Sequence, residues 1–111
     1  MDNSQFESLA DATLARLQTA IEEADCDDLD AEVVNGILTI ELESGARYLL
    51  NRHGPNRELW LSSPVSGAWH FAWNPAERSW ISTRGSDRLE ILLGRELSEA
   101  TGKAIDFASQ D

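Results

Sequence analysis

Twenty carboxylates in a chain of 111 residues, against nine lysines and arginines, give a net charge of −11. Their spacing decides what chemistry they can do. Twelve of them fall in residues 1–43 with a single base, Arg16, whereas eight acids meet eight bases from residue 44 onward. The densest stretch holds Glu22, Glu23, Asp25, Asp27, Asp28, Asp30 and Glu32. Exposed carboxylates are hard oxygen donors, suited to hard cations and not to copper or zinc–thiolate chemistry. Neither an EF-hand loop nor a facial set of two histidines and a carboxylate is present, so cation sites here are expected to be shallow, multiple and weak. Such a field also repels nucleic acid and acidic lipid and attracts basic protein surfaces. A solvated, solubilising face is the plain alternative, and composition by itself leaves both readings open.

Other reactive side chains are few. Cys26 is the only cysteine, which rules out an intrachain disulfide and a cysteine metal cluster. Its neighbours Asp25, Asp27 and Asp28 oppose thiolate formation, so a nucleophilic or redox role is not expected. His53 and His70 are the only histidines. Ser62-Ser63-Pro64 reads as turn structure, because no histidine–acid relay accompanies the hydroxyls. Trp60 is the unusual aromatic. In Arg57-Glu58-Leu59-Trp60-Leu61-Ser62, alternation puts Leu59 and Leu61 on a buried face and Trp60 on the wet one with Glu58 and Ser62. An outward tryptophan adds nothing to a core and is the kind of residue that anchors a partner.

The elements that must carry these residues follow from periodicity. Residues 4–24 predict an amphipathic helix, opened by a Ser4-x-x-Glu7 capping box and striped by Phe6, Leu9, Ala10, Thr13, Leu14, Leu17, Ile21 and Ala24. At 100° per residue, Glu7, Asp11, Gln18, Glu22 and Asp25 fall within a sector of about 60° beside that stripe, forming an acidic ridge. Alternation predicts strands over about 29–34, 37–43, 46–53, 57–62, 68–73 and 79–82, with Asn35-Gly36 as a two-residue hairpin turn. Asp30, Glu32, Glu41 and Glu43 point outward, the last two as further candidates for the ridge. A second helix is expected over about 87–101, with an Asp87-x-x-Glu90 capping box, an apolar face of Leu89, Leu92, Leu93, Leu97 and Ala100, and a stop at Gly102. The tail beyond Ile105 is expected to fray. Connections this short exclude crossover helices, so the sheet is mainly antiparallel. Both helices must bury one stripe. The expected fold is therefore α+β, a two-layer sandwich with both helices on one face of a five- to six-stranded sheet and a single domain over 1–111. Trp69, Trp73 and Trp80 belong to its core or core edge.

No apolar run approaches the roughly 20 residues of a membrane span. The start, Met-Asp-Asn-Ser-Gln-Phe-Glu, matches neither a secretory signal nor an organellar presequence, so a cytoplasmic location is the expectation.

The string from Asn51 to Phe71, with Asn-Arg-x-x-Pro-Asn-Arg-x-Leu-Trp-Leu-Ser-Ser-Pro-x-Ser-Gly at its centre, resembles the signature of the frataxin family, and the length and the absence of a leader point to its bacterial branch as an expectation. The order of elements agrees over roughly Ser4 to Gly102. The resemblance implies a non-enzymatic accessory factor of iron–sulfur cluster assembly, acting on a cysteine desulfurase and its scaffold protein. It implies weak, reversible binding of ferrous or ferric iron on the acidic ridge, where Glu22, Glu23, Asp25, Asp27, Asp28 and Asp30 match the family's acidic cluster in placement; Glu7, Asp11 and Glu32 of the same acidic edge complete the candidate ligands. Gln18-Thr19 stands where some bacterial relatives have two acids, which concentrates the ligands at the helix end and first strand. The same resemblance implies partner contacts through Asn51, Asn56, Trp60 and His70, whereas His53 and Glu58 depart from the family pattern. The chain is expected to be monomeric, with no nucleic-acid or membrane partner and with metal-driven oligomers as a variant. Two other readings remain: a ferroxidase that stores iron in oligomers, and an acidic module that mimics nucleic acid. No buried di-iron set of Glu-x-x-His pairs supports the former.

Overall fold

The structure is a computed structural model and describes residues 1–107. Helix α1, Asn3–Glu23, is followed by strands β1 (Leu29–Val34), β2 (Ile37–Leu42), β3 (Arg47–His53), β4 (Glu58–Ser63), β5 (Gly67–Asn74) and β6 (Ser79–Ser82), then by helix α2, Leu89–Thr101. The strands form one antiparallel sheet in sequential order β1-β2-β3-β4-β5-β6. Both helices lie on one face, the two-layer α+β arrangement that the alternation predicts.

Register follows from which residues can be buried. Leu38, Ile40, Tyr48, Leu50, Leu59, Leu61, Phe71 and Trp80 supply the inner face of the sheet. Phe6, Ala10, Leu14, Leu17 and Ile21 of α1 and Leu89, Leu92, Leu93 and Leu97 of α2 close over them. A one-residue slip of any strand would turn this set to water, which is why the register is well specified. The Asn35-Gly36 turn has φ of 53° and 77°, the left-handed pair of a two-residue hairpin. Trp80 is buried and its indole N–H donates to Thr13 Oγ1 at 3.0 Å, while Trp69 and Trp73 flank the core. A paired guanidinium and carboxylate, Arg16 and Glu90, ties the helices together at 2.6 and 3.0 Å.

Three expectations about chain ends need correction. Helix α1 is capped by Asp2, whose carboxylate accepts from Gln5 N–H at 2.8 Å while Gln5 Oε1 accepts from Asp2 N–H at 2.9 Å. Two boxes overlap in this sequence, and the earlier one is the one that forms. Helix α2 starts at Leu89 behind Arg88 with no side-chain cap. Asp87 is instead held outside the helix, its carbonyl accepting from Ser82 N–H at 2.8 Å. The tail does not fray directly beyond Ile105: Phe107 is buried as Ile105 is, and Ile105 N–H donates to Ser98 Oγ at 2.8 Å. Gly94 permits this, since a Cβ there would lie 3.0 Å from Ile105 O. The expectation for the remaining tail falls outside the described residues. Gly102, in the left-handed conformation at φ 72°, ends α2 where expected.

Candidate functional site

Sequential strand order turns the uneven charge along the chain into uneven charge in space. Helix α1 and strands β1 and β2, which with their flanking turns carry most of the acids, form one flank, and β3–β6 with α2 form the other.

On the acidic flank the carboxylates do not make one site. Glu7 and Glu22 lie on α1 about 22 Å apart along its axis, too far to share an ion. Asp11 is already engaged, accepting two hydrogen bonds from the guanidinium of Arg52 at 2.8 and 2.9 Å. Glu23 and Asp25 are exposed at the end of α1, and Asp25 adopts φ 52° while its carbonyl accepts from Lys103 Nζ at 2.8 Å. Glu32 is outward on β1 opposite Thr39.

The acids that do converge are Asp27, Asp28, Asp30, Glu41 and Glu43. They line a shallow depression of about 250 Å³ at the end of the β1–β2 ladder. Asp30 pairs across the ladder with Glu41, which in turn accepts from Arg47 at 2.8 Å. The backbone of Glu43 donates to Asp28 O at 3.0 Å, bringing the two side chains together. A hydrogen bond with the Asp28 carboxyl, reinforced by its charge and more weakly by that of Asp27, raises the Glu43 carboxyl above its ordinary value of 4.5. The two carboxylates thus crowd each other's charge. Charge crowding of this kind is relieved by a proton or by a cation. Among the described residues, no three histidine, cysteine or acidic side chains are arranged as a ready metal cage. The geometry offers scattered one- and two-carboxylate positions, the arrangement of a loose cation surface.

The outer sheet face carries the second candidate surface. Trp60 points outward as alternation requires, but it is not a free indole. Its ring is sandwiched between His53, at a centroid distance of 3.7 Å and 9° between planes, and His70, at 4.2 Å and 7°. Its Nε1–H donates to Glu58 Oε1 at 2.9 Å, and His70 Nδ1 lies 3.9 Å from the same oxygen. His53, His70 and Glu58 together therefore brace the tryptophan. Asn51 is its cross-strand partner, as is His70 on the other side. Its amide donates to Arg52 O at 3.2 Å. Asn56 is exposed in the β3–β4 turn, apart from the stack. Val34, Ile37 and Leu49, exposed on the same face, extend the surface toward β1.

A third polar feature is absent from the sequence-based list. Glu96 of α2 is buried, and accepts from Tyr48 Oη at 2.9 Å, Ser63 Oγ at 2.7 Å and Ser66 Oγ at 2.6 Å. Ser63 Oγ also accepts from the backbone N–H groups of Val65 and Ser66, both at 3.0 Å. This explains Ser63 and Ser66 of the signature string: they satisfy a buried carboxylate and pin the β4–β5 loop to α2. Burial and the neighbouring Glu96 push the Tyr48 hydroxyl above its ordinary value of 10. The available signal was an acid beside Leu92, Leu93 and Leu97 on an otherwise apolar helix face.

Comparison with known proteins gives a consistent result. A family model described as a frataxin-like domain matches residues 1–103. The chain is 35% identical over 112 residues to the mitochondrial frataxin of Arabidopsis thaliana, covering 97% of this chain and 60% of that protein. It is 33% identical over 108 residues to the iron-sulfur cluster assembly protein CyaY of Photobacterium profundum, covering 97% and 99% of the two chains. Among solved structures, the frataxin of Psychromonas ingrahamii superposes with a TM-score of 0.89 at 27% identity, over 98% of this chain and all of that one. Trimeric frataxin from Saccharomyces cerevisiae complexed with ferrous iron gives 0.76 at 31% identity, over 86% and 87%.

Proposed function

The chain belongs to the frataxin-like family, and from that premise we propose that it is a non-enzymatic accessory factor of iron–sulfur cluster assembly that binds iron weakly and docks on a cysteine desulfurase–scaffold complex. Support for the pathway comes from relatives named as iron-sulfur cluster assembly proteins, and for the metal from the ferrous complex of the yeast relative. The observation that carries the reading is the crowded corner of Asp27, Asp28, Asp30, Glu41 and Glu43 on the acidic flank. There, iron relieves the charge crowding of Asp28 and Glu43. Exposed side chains must be gathered and desolvated without a preorganised cage, so affinity is on the order of micromolar or weaker. The same flank meets arginines and lysines of the desulfurase. Bound iron changes the charge that the partner sees, which links the two events.

The outer sheet face supplies the shorter-range contacts through Asn51, Trp60 and His70. The partner meets the edges of a braced His53–Trp60–His70 stack, so little side-chain freedom is lost on docking. The chain works in the cytoplasm as a monomer, and iron bridging acidic flanks drives any oligomer.

Affinity capture from a native lysate, with and without added ferrous iron, tests this reading. Recovery of a cysteine desulfurase in an iron-sensitive manner supports it. Recovery of nucleic-acid-binding proteins instead would overturn it, and iron oxidation faster than the spontaneous rate would replace the accessory role with an enzymatic one.

A further inference from the structure

Strand β5 is longer than the strand beside it. Of Gly67–Asn74, only the segment from Phe71 to Asn74 is paired with β6. Thr83 N–H donates to His70 O at 2.9 Å, so the backbone polar groups of His70 face the β6 side. Hydrogen-bonding direction alternates along a strand, so those of Ala68 face the same way. Continuing the register would bring Gly85 opposite Ala68, but the chain has turned away by then. Ser82 O accepts from Gly85 N–H at 3.4 Å, and Ser82 N–H donates to Asp87 O at 2.8 Å. What remains is an open groove of about 350 Å³ lined by Ser66, Ala68, Trp69, Arg84, Gly85 and Asp87, and adjoining His70. Among the described residues, no strand is paired with Ala68 on that side.

The walls of the groove are built. Ser66 is held by the buried Glu96 at 2.6 Å, and Trp69 Nε1–H donates to Ser66 Oγ at 2.8 Å. Arg84 is exposed and its guanidinium has no hydrogen bond or ion pair among the described residues. On a chain of net charge −11, an unpaired guanidinium beside an unpaired strand edge is a specific combination.

We propose that this groove takes an extended peptide segment of a partner protein, added as a short strand along Gly67–Trp69, with one carboxylate side chain of the segment on Arg84. An open edge supplies main-chain hydrogen bonds to any extended chain, and side-chain contacts then select among sequences. The planar guanidinium selects a carboxylate through paired, charge-assisted hydrogen bonds. Asp87 opposes a second acid, so the segment carries a single carboxylate here and not an acidic run. The Trp69 ring offers an apolar flank to a neighbouring side chain. This site is separate from the acidic flank and stands whether or not the chain binds iron or a desulfurase.

The test is a titration of backbone amide resonances with a blocked pentapeptide, acetyl-valine-threonine-glutamate-threonine-valine-amide. Shifts centred on Ala68, Trp69 and Gly85 are expected, with binding about tenfold weaker when glutamine replaces glutamate. Arg84→Glu should abolish binding without moving the thermal midpoint, and Asp87→Asn should tighten it about two- to threefold. Proline at either threonine of the peptide should weaken it, because a ladder donor is lost. No shift at these amides up to about 10 mM peptide, or equal binding of the glutamine peptide, overturns the proposal. So does a concentration-dependent shift of the same amides without peptide, which would assign the groove to a second copy of the chain.

Discussion

At the scale of single residues, two side chains invite measurement because their surroundings differ from what their exposure suggests. Trp60 is outward, yet both faces of its ring are covered by imidazoles. Stacked aromatic pairs contribute about 0.5–1.5 kcal/mol each beyond burial, so Trp60→Ala should cost about 1–2 kcal/mol. That is above a bare surface change but below the ~3–5 kcal/mol of a core replacement such as Trp80→Ala. Thermal melts of both variants check the order, and equal losses would place Trp60 energetically in the core. Glu43 is the second. Its carboxyl is raised in the folded chain, chiefly by Asp28, so the folded state holds its proton more tightly than the unfolded chain does. That contribution is fully present below the ordinary value of 4.5 and is lost as pH rises through the elevated one. Glu43→Gln should therefore raise the melting temperature at pH 7 and leave it nearly unchanged in acid. A variant that is less stable at neutral pH would show that the Asp28–Glu43 pair is attractive there, and would remove the crowding that favours a cation.

At the scale of elements, what could be read from the sequence was what repeats. Strand positions and the inward sets, such as Leu38 with Ile40 and Leu59 with Leu61, follow from strict alternation with a buried face. Trp60 could be placed on the outer face for the same reason. Ends were less legible, because they depend on single hydrogen bonds: Asp2 with Gln5 and Ser4 with Glu7 satisfy the same pattern, and only the chain's geometry selects between them. Burial of Phe107 was hidden because an irregular tail has no period, and its seat depends on a glycine, Gly94, on another element. The bracing of Trp60 by His53 and the link from Glu96 to the signature serines were hidden for a related reason. Each joins residues that only the register brings together. The Glu96 link can be tested between elements. Removing its carboxylate leaves the hydroxyls of Tyr48, Ser63 and Ser66 without their shared acceptor, so Glu96→Ala should cost about 3 kcal/mol. The raised Tyr48 hydroxyl adds a pH signature: its contribution is present below its ordinary value of 10 and is lost as pH rises through the elevated one. Denaturant unfolding from pH 8 upward should show stability falling in the wild type beyond that of Tyr48→Phe. Parallel curves would mean that Tyr48 ionises as freely in the folded chain as in the unfolded one.

At the scale of the whole molecule, sequential strand order keeps the acidic third of the chain together on one flank of a body about 38 Å long. Physiological salt screens charge over about 8 Å, so a partner approaching that flank meets its local field and not the net charge of the molecule. The stacked aromatics on the outer face act only on contact. Two surfaces with such different ranges should separate in kinetics. Changing Asp27, Asp28, Asp30, Glu41 and Glu43 to their amides should slow association with a basic partner such as the desulfurase and flatten its dependence on salt. Trp60→Ala should leave association nearly unchanged and hasten dissociation. The same amides should weaken iron binding without unfolding the chain, because among the described residues only Glu41 of the five has a basic partner, Arg47. Binding kinetics of wild type and both variants at several salt concentrations would show this directly. Wild-type association that does not respond to salt would take the acidic flank out of the interface. The outer sheet face would then be the docking surface alone, and the acids would be left with the metal.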